Sequence, residues 1–370
     1  MSCRFRTGAP VQMKIGLFTE FSYPGKSERQ IYQEVLEQIA LADQLGYDFF
    51  STTESFGKGI ISCSPFPLGL YLFAAERFRR IRLLTGIITV PIHHPGILAS
   101  QIAAADLLTE GRIMVGLGRG HPWVLNRVGV PAGESAPRFE EGIQMLLDIF
   151  KGGYIEKRTG AFWRLNDFEL SPRPVQQPHP PLYIAAATTP ESALFGGKVG
   201  QGLVQPGYLG IPLALVRELA SVYRENLPPG RSSDVILGIH AHVAEDHEEA
   251  MENGALALAS QAKVFLEANQ QRVRLAGENE AYVTKSESRK AFEKLCEPEK
   301  ARRAVEDEAP HIMAVWGTPE ECVERIRYYA DSLRPEQLML NIASGSLSQQ
   351  KVLRSMRLFA ERVMPALRTA

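Results

Sequence analysis

The sequence predicts an α/β barrel of parallel strands. Two observations carry that prediction. Residues 81–120 read as strand, polar turn, helix and strand; the first strand runs into Pro91-Ile92-His93-His94-Pro95 and the second into Gly116-Leu117-Gly118-Arg119-Gly120. Two parallel strands joined by a helix deliver both polar tips to one edge of a sheet, the edge on which barrel sites are built. About eight short apolar strands alternate with helices along the chain, the mark of a parallel sheet.

In chain order, residues 14–19 (KIGLFT) form a strand without clean alternation, as expected of one buried on both faces. Residues 28–45 place Ile31, Val35, Ile39 and Leu45 on one side of a helix, and Gly46 ends it. A second strand over 47–53 carries Glu54 at its tip, and a Gly-, Ser- and Pro-rich loop leads to a helix with Leu70, Phe73 and Ala74. The 81–120 segment follows, then a helix over 138–150, and then a small hairpin and proline-rich run over 152–180. Strands over 181–187, 201–205, 235–243 and 338–342 complete the set, with a terminal helix around 352–363. A barrel of about 250 residues needs insertions to reach this length. Residues 245–311, charged and helical in pattern after the seventh strand, are the place for one. That insertion reads equally as a lid over the site edge or as a solvated decoration.

At 370 residues, with 41 basic and 42 acidic side chains and a net charge of −1, the chain has no basic field for a nucleic-acid backbone. No apolar run approaches bilayer-spanning length. Residues 1–12 lack the apolar core of a secretory signal and read as a disordered tail, or as residues ahead of a start at Met13. Residues 13–370 read as a single domain. Cys3, Cys63, Cys296 and Cys322 are scattered without CxxC spacing, which points away from disulfides and zinc and toward a reducing cytoplasm.

The chemistry gathers at strand tips. GLGRG at 116–120 is a poor dinucleotide fingerprint, because it ends the fourth strand and holds an arginine. Its glycines would let backbone approach a ligand, and Arg119 would offer a fork of donors to an anion. The alternative is a tight turn with a solvent-facing arginine. Thr188-Thr189-Pro190-Glu191-Ser192 opens a helix; it is ordinary capping taken alone, and a phosphate site when paired with Arg119. Arg138 could add a second cation. His93 and His94 follow the third strand, and His121 and Trp123 the fourth. A metal site is one use of such histidines, but no H-x-x-x-H helix or suitably spaced carboxylate accompanies them, so no metal is expected; they read as structural backbone partners or as acid–base groups. Glu54 reads as an acid–base group or as half of a buried ion pair. No nucleophile elbow is present, so hydrolysis is not indicated.

Together the segments MKIGLFTEF, ALADQLGYDFFSTTES, TGIITVPIHHPG, DLLTEGRIMVGLGRG, PLYIAAATTPES, WGTPEECVERIRYYA and LRSMRLFAERVMPALR resemble the bacterial luciferase-like family of flavin-dependent oxidoreductases. The resemblance runs from Met13 over nearly the whole chain and keeps the family order. It implies a (β/α)8 TIM barrel that binds FMN, or in some branches the deazaflavin F420, at the C-terminal edge of its strands. It implies that Arg119 reaches the flavin phosphate, that Arg138 assists, and that Thr189 and Ser192, with Thr188 adjacent, hold the same phosphate. It further implies a non-proline cis peptide at Gly86–Ile87 beneath the flavin ring.

One departure stands out. Luciferases proper carry Glu-His-His at the end of strand two, whereas this chain has Glu54-Ser55-Phe56. The missing histidine argues against the light-emitting aldehyde reaction and leaves Glu54, His93, His94 or His121 to move protons. The expected activity is an FMN-dependent monooxygenase that uses reduced flavin and O2 on a small, mostly apolar organic substrate, with a separate flavin reductase as transient partner. An F420-dependent dehydrogenase and a non-catalytic flavin-binding protein are the alternatives. The resemblance also implies a homodimer formed through helices flanking strands two and three.

Overall fold

A computed structural model describes residues 13–57, 62–207, 211–276, 293–307, 313–343 and 345–368. The expected tail at 1–12 lies outside the described residues. In chain order the elements are β1 (Lys14–Thr19), α1 (Glu28–Leu45), β2 (Phe49–Thr52), α2 (Pro67–Ala75), β3 (Arg82–Thr89), α3 (Pro95–Leu108), β4 (Ile113–Gly118), α4 (Pro122–Arg127) and α5 (Ser135–Gly152). There follow β5 (Tyr154–Thr159), β6 (Arg164–Glu169), β7 (Leu182–Ala185), α6 (Pro190–Lys198), β8 (Gly202–Gln205), α7 (Leu213–Glu225) and β9 (Val235–Val243). The chain ends with α8 (His247–Ala276), α9 (Pro298–Asp307), β10 (Ala314–Gly317), α10 (Pro319–Leu333), β11 (Gln337–Ala343), α11 (Gln349–Leu358) and α12 (Met364–Arg368).

Eight strands close a ring in the order β1-β2-β3-β4-β7-β8-β9-β11, with β11 pairing back to β1 and every pairing parallel. Each contributes one side chain to an interior layer: Phe18, Phe49, Leu84, Met114, Tyr183, Val204, Ile236 and Met339. Burial of each such side chain stabilises the fold by about 1.5–3 kcal/mol. The period of two along a strand then aims the residues beyond this layer, such as Ser51, Gly86, Gly118, His240 and Asn341, at the same interior, nearer the C-terminal mouth.

The helices follow from local signals. Ser27 caps α1 by accepting from the Gln30 amide, and Gly46 ends it at φ 78°. Thr318 and Glu321 form a reciprocal capping box on α10. The hairpin expected over 152–180 is β5–β6, antiparallel and outside the ring, with its tip held by Glu141, which accepts from the amides of Ala161, Phe162 and Trp163. Two prolines of the following run, Pro172 and Pro178, are preceded by cis bonds.

The sequence reading missed one strand. β10 pairs with the C-terminal half of β9 through Ala314↔His240 to Gly317↔Val243. With four residues and a glycine end, it carries too little pattern to stand out. Its backbone meets even-numbered β9 residues, as β8 does, whereas β11 meets odd-numbered ones, so β10 extends the β8 edge beyond the end of β8. The expected insertion supplies α8 and α9; residues 277–292 and 308–312 lie outside the described set. Phe265, Met251 and Leu258 of α8 pack with Trp123 of α4 and Trp316 of β10, so the insertion covers the loop after β4 rather than standing apart in solvent.

Phe73 of α2 and Ile97, Leu107 and Leu108 of α3 are exposed, the last at 65%. A cavity of about 310 Å³, lined by Lys14, Asp48, Phe49, Arg82 and Gln337 among others, opens at the N-terminal ends of β1, β2, β3 and β11. That end of a barrel serves stability, and the cavity lies opposite the strand tips considered below. Among the described residues no helix is long and apolar enough to cross a membrane.

Candidate functional site

The fourth strand delivers Arg119 to the mouth, and the α6 start delivers Thr189 and Ser192 from the neighbouring strand. The Arg119 guanidinium donates to Thr189 Oγ1 at 3.0 Å, and Thr189 Oγ1 lies 2.9 Å from Ser192 Oγ. Thr189 is the N-cap of α6, yet its hydroxyl makes no capping bond, because it is turned to Arg119 and Ser192. The first turn of α6 therefore keeps amides without a side-chain acceptor beside a guanidinium and two hydroxyls. This donor set suits a phosphate. Thr188 is exposed next to it.

Arg138 is not joined to this cluster. It donates to Glu134 at 2.7 Å and lies over the rings of Phe162, at 4.7 Å, and Trp163, at 5.6 Å. Its neighbour Phe139 touches Phe195 of α6, which sets the start of α5 beside the start of α6. Ser135, first in α5, donates to the Arg119 carbonyl and ties the two turns together.

The glycines of GLGRG serve a different purpose from the one expected. A Cβ at Gly116 would stand 2.2 Å from the Thr85 carbonyl, and one at Gly118 would stand 2.8 Å from Ile87 Cδ1. The close approach is made by β3, not reserved for a ligand. The Gly86–Ile87 peptide is cis, as the resemblance implies. Ile87 rests on the interior layer, and Gly86 faces Ser51 Oγ and the Phe18 ring.

Glu54 and His93 meet. Glu54 accepts from the Thr89 amide at 2.8 Å, and His93 Nε2 stands 3.1 Å from Oε1 and 3.2 Å from Oε2. The Glu54 side chain is almost sealed, at 3% exposure, while that of His93 is open to 24%. A buried carboxylate behind a more open imidazole can orient the ring. His94 has another employment. Nδ1 accepts from the Gly96 amide at the start of α3, and Nε2 donates to the Arg164 carbonyl, so both nitrogens serve structure. His121 stacks on Trp123 at 4.2 Å, and both rings meet Phe265 edge-on. Among the described residues no three His, Cys, Asp or Glu side chains gather as metal ligands would.

The sequence reading overlooked the opposite wall. Gln261 of α8 donates to Glu20 Oε1 at 3.0 Å and lies 2.7 Å from His240 Nε2. Glu20, Gln261 and His240 are all buried, and burial pushes the Glu20 carboxyl up to about 7 despite the Gln261 hydrogen bond. Asn341, 1% exposed, has no partner among the described residues for either amide atom, and neither does Ser51 Oγ. His242 is held down to about 4, first by burial and then by the Lys351 charge. Glu20 looks like any polar residue after a strand, and Gln261 lies in an unbroken helical pattern 241 positions away. Only ring closure brings them together. The unpaired polar atoms and the phosphate-type donor set fit a polar ring system with a phosphate tail, as a flavin has.

Residues 13–334 match the family model of luciferase-like monooxygenases. The chain is 28% identical over 232 residues to the oxygenase component of a flavin-dependent trigonelline monooxygenase of Acinetobacter baylyi, covering 61% of this chain and 63% of that relative. It is 26% identical to 4-hydroxyprotoasukamycin monooxygenase of Streptomyces nodosus subsp. asukaensis, over 89% of this chain and 85% of that one. An F420-dependent glucose-6-phosphate dehydrogenase of Beutenbergia cavernae is 28% identical over 69% of this chain and 78% of its own. The crystal structure of a monooxygenase from Streptomyces bottropensis superposes with a TM-score of 0.78 at 28% identity, covering 95% of this chain and 99% of that one.

Proposed function

This chain belongs to the luciferase-like monooxygenase family, and we propose that it is a monooxygenase that takes reduced FMN and O2 and oxygenates a small, mostly apolar organic substrate. The Arg119–Thr189–Ser192 constellation at the start of α6 carries the proposal. It would hold the phosphate, with Arg138 close by, and the Gly86–Ile87 segment would lie under the ring. Bound reduced flavin supplies the electrons and the oxygen-activating chemistry. The chain supplies the rest. Arg119 and the α6 turn orient the ligand, Glu54 and His93 hold or move a proton, and the stacked His121 and Trp123, with Phe265 edge-on to both, exclude water and favour an apolar, ring-bearing substrate.

A relative that is an oxygenase component supports a separate flavin reductase as partner. The exposed apolar side chains of α2 and α3 support a homodimer formed there. The scattered cysteines, without CxxC spacing, are the ground for placing the protein in a reducing cytoplasm. The F420-dependent relatives keep hydride transfer by F420 as the second reading, since a phosphate grip serves either cofactor.

Titration of the protein with FMN and with F420, followed by O2 uptake with the reduced form of whichever binds, tests the proposal. Tight FMN binding with protein-dependent O2 uptake is expected. Preference for F420 without O2 uptake supports the second reading. Binding of neither below about millimolar concentration, roughly −4 kcal/mol, would leave a non-catalytic scaffold.

A further inference from the structure

The wall of the mouth across the ring from Arg119 has no part in the phosphate grip, yet it holds a buried carboxyl. Glu20 follows β1, whose interior side chain Phe18 is in register with Asn341 of β11, and Asn341 is in register with His240 of β9. These three strands face β4 and β7, which present Arg119 and the α6 turn. Thr19 turns outward, to Tyr23 and the Ala343 carbonyl, whereas Glu20 turns to Gln261, the partner of the inward His240. Its hydrogen-bond donor among the described residues is the neutral amide of Gln261, and among them no cation pairs with it. A carboxyl sealed at 5% exposure without a cation is expensive to ionise.

Gln261 is fixed at both ends. Its Nε2 donates to Glu20 Oε1, and its Oε1 accepts from His240 Nε2–H, which sets the imidazole tautomer. With Oε1 occupied, a proton on Glu20 rides on Oε2. The adjacent Asn341 amide, 99% buried and unpartnered among the described residues, is a second sign that this wall meets a ligand.

We propose that Glu20 is a further proton-transferring residue of the mouth and that Gln261, from the insertion, is its positioning residue. The role rests on the flavin-monooxygenase reading. When oxygen is reduced there by electrons from the bound flavin, an oxygen atom gains negative charge. The Glu20 Oε2–H bond breaks and an O–H bond forms on that oxygen. The Gln261 N–H steadies the carboxylate left behind, and solvent water returns the proton. Among the described residues the titratable groups facing Glu20 are His240 across Gln261 and Tyr23 beside β1; the nearby inward positions on β11 and β2 are the neutral Asn341 and Ser51.

Infrared spectra of the full chain against pH, without cofactor, test the acid directly. The wild type is expected to show a protonated-carboxyl stretch that is lost between about pH 5.5 and 8.5 and is absent in Glu20→Gln. In Gln261→Met, which leaves Glu20 in place, the loss is expected at higher pH, because a donor that favours the carboxylate is gone. A spectrum without such a band, or one unmoved by Gln261→Met, overturns the proposal. Stopped-flow mixing of O2 with protein holding stoichiometric reduced FMN supplies the kinetic readout. The wild-type oxidation rate is expected to fall about tenfold or more across the titration, and Glu20→Gln to be slow and flat. Equal profiles overturn the catalytic role. Failure of the wild type to bind FMN would refute the flavin reading, and the infrared titration would still decide the state of Glu20.

Discussion

The Arg119 guanidinium meets the Thr189 hydroxyl at 3.0 Å, joining the tip of β4 to the first turn of α6. One neutral contact leaves most of the five guanidinium donors to an anion. Arg119→Ala is expected to weaken FMN binding about 10- to 100-fold, the worth of a charge-assisted hydrogen bond of about 1.5–3 kcal/mol. Riboflavin, which lacks the phosphate, provides the control. Fluorescence-quenching titrations should show the wild type preferring FMN strongly and the variant losing that preference.

Glu54 holds two groups at once, the Thr89 amide and the His93 ring. Glu54→Gln keeps an acceptor for the amide and loses the charge. Turnover is expected to fall about 100-fold or more, with FMN affinity unchanged. Glu54→Leu also strands a buried amide and should cost about 1–3 kcal/mol in urea unfolding.

His94 and His93 are neighbours with separate fates. His94→Ala removes the N-cap acceptor of α3 and is expected to destabilise the fold by about 1 kcal/mol while turnover holds. A drop in turnover without a drop in stability would return His94 to the chemistry.

Two buried groups shape stability against pH in opposite directions. Glu20 binds its proton more tightly folded, near pH 7, than at its ordinary 4.5, so its contribution is full below 4.5 and is lost as pH rises through 7. His242 is depressed from 6.5 to about 4, so its contribution is present above 6.5 and is lost as pH falls through 4. Each arm amounts to about 3 kcal/mol at most. Thermal melts should show Glu20→Gln removing a fall in stability between about pH 4.5 and 7, and His242→Phe removing a rise over nearly the same range, about pH 4 to 6.5.

If α2 and α3 pair two copies, charge on that face will separate them. Ile97→Glu with Leu108→Glu is expected to shift the light-scattering mass from dimer toward monomer without altering FMN binding. A wild type that is already monomeric would remove the dimer from the picture.

The barrel was legible because strand and helix patterns alternate and because each interior strand is nearly all apolar. The grip was legible from residue type, since an arginine at one strand tip and hydroxyls before a proline at another have few uses together. The purpose of the GLGRG glycines was not legible, because the groups they accommodate, Thr85 O and Ile87, sit on another strand. The duties of His93 and His94 could not be separated either, since adjacent imidazoles look alike until backbone geometry assigns one to Glu54 and the other to a helix end. Gln261 was invisible because an amide inside a helix announces nothing about what lies across the ring.

The excursion from β9 through α8 and α9 returns as β10 onto the same strand it left. Closure of the ring runs through β9 and β11 and never through β10. Within the sheet, the segment is thus hung from a single post. Exchanging it between kindred enzymes should change which molecules gain entry while the eight-membered frame keeps its register, which makes it the natural cassette for redesign.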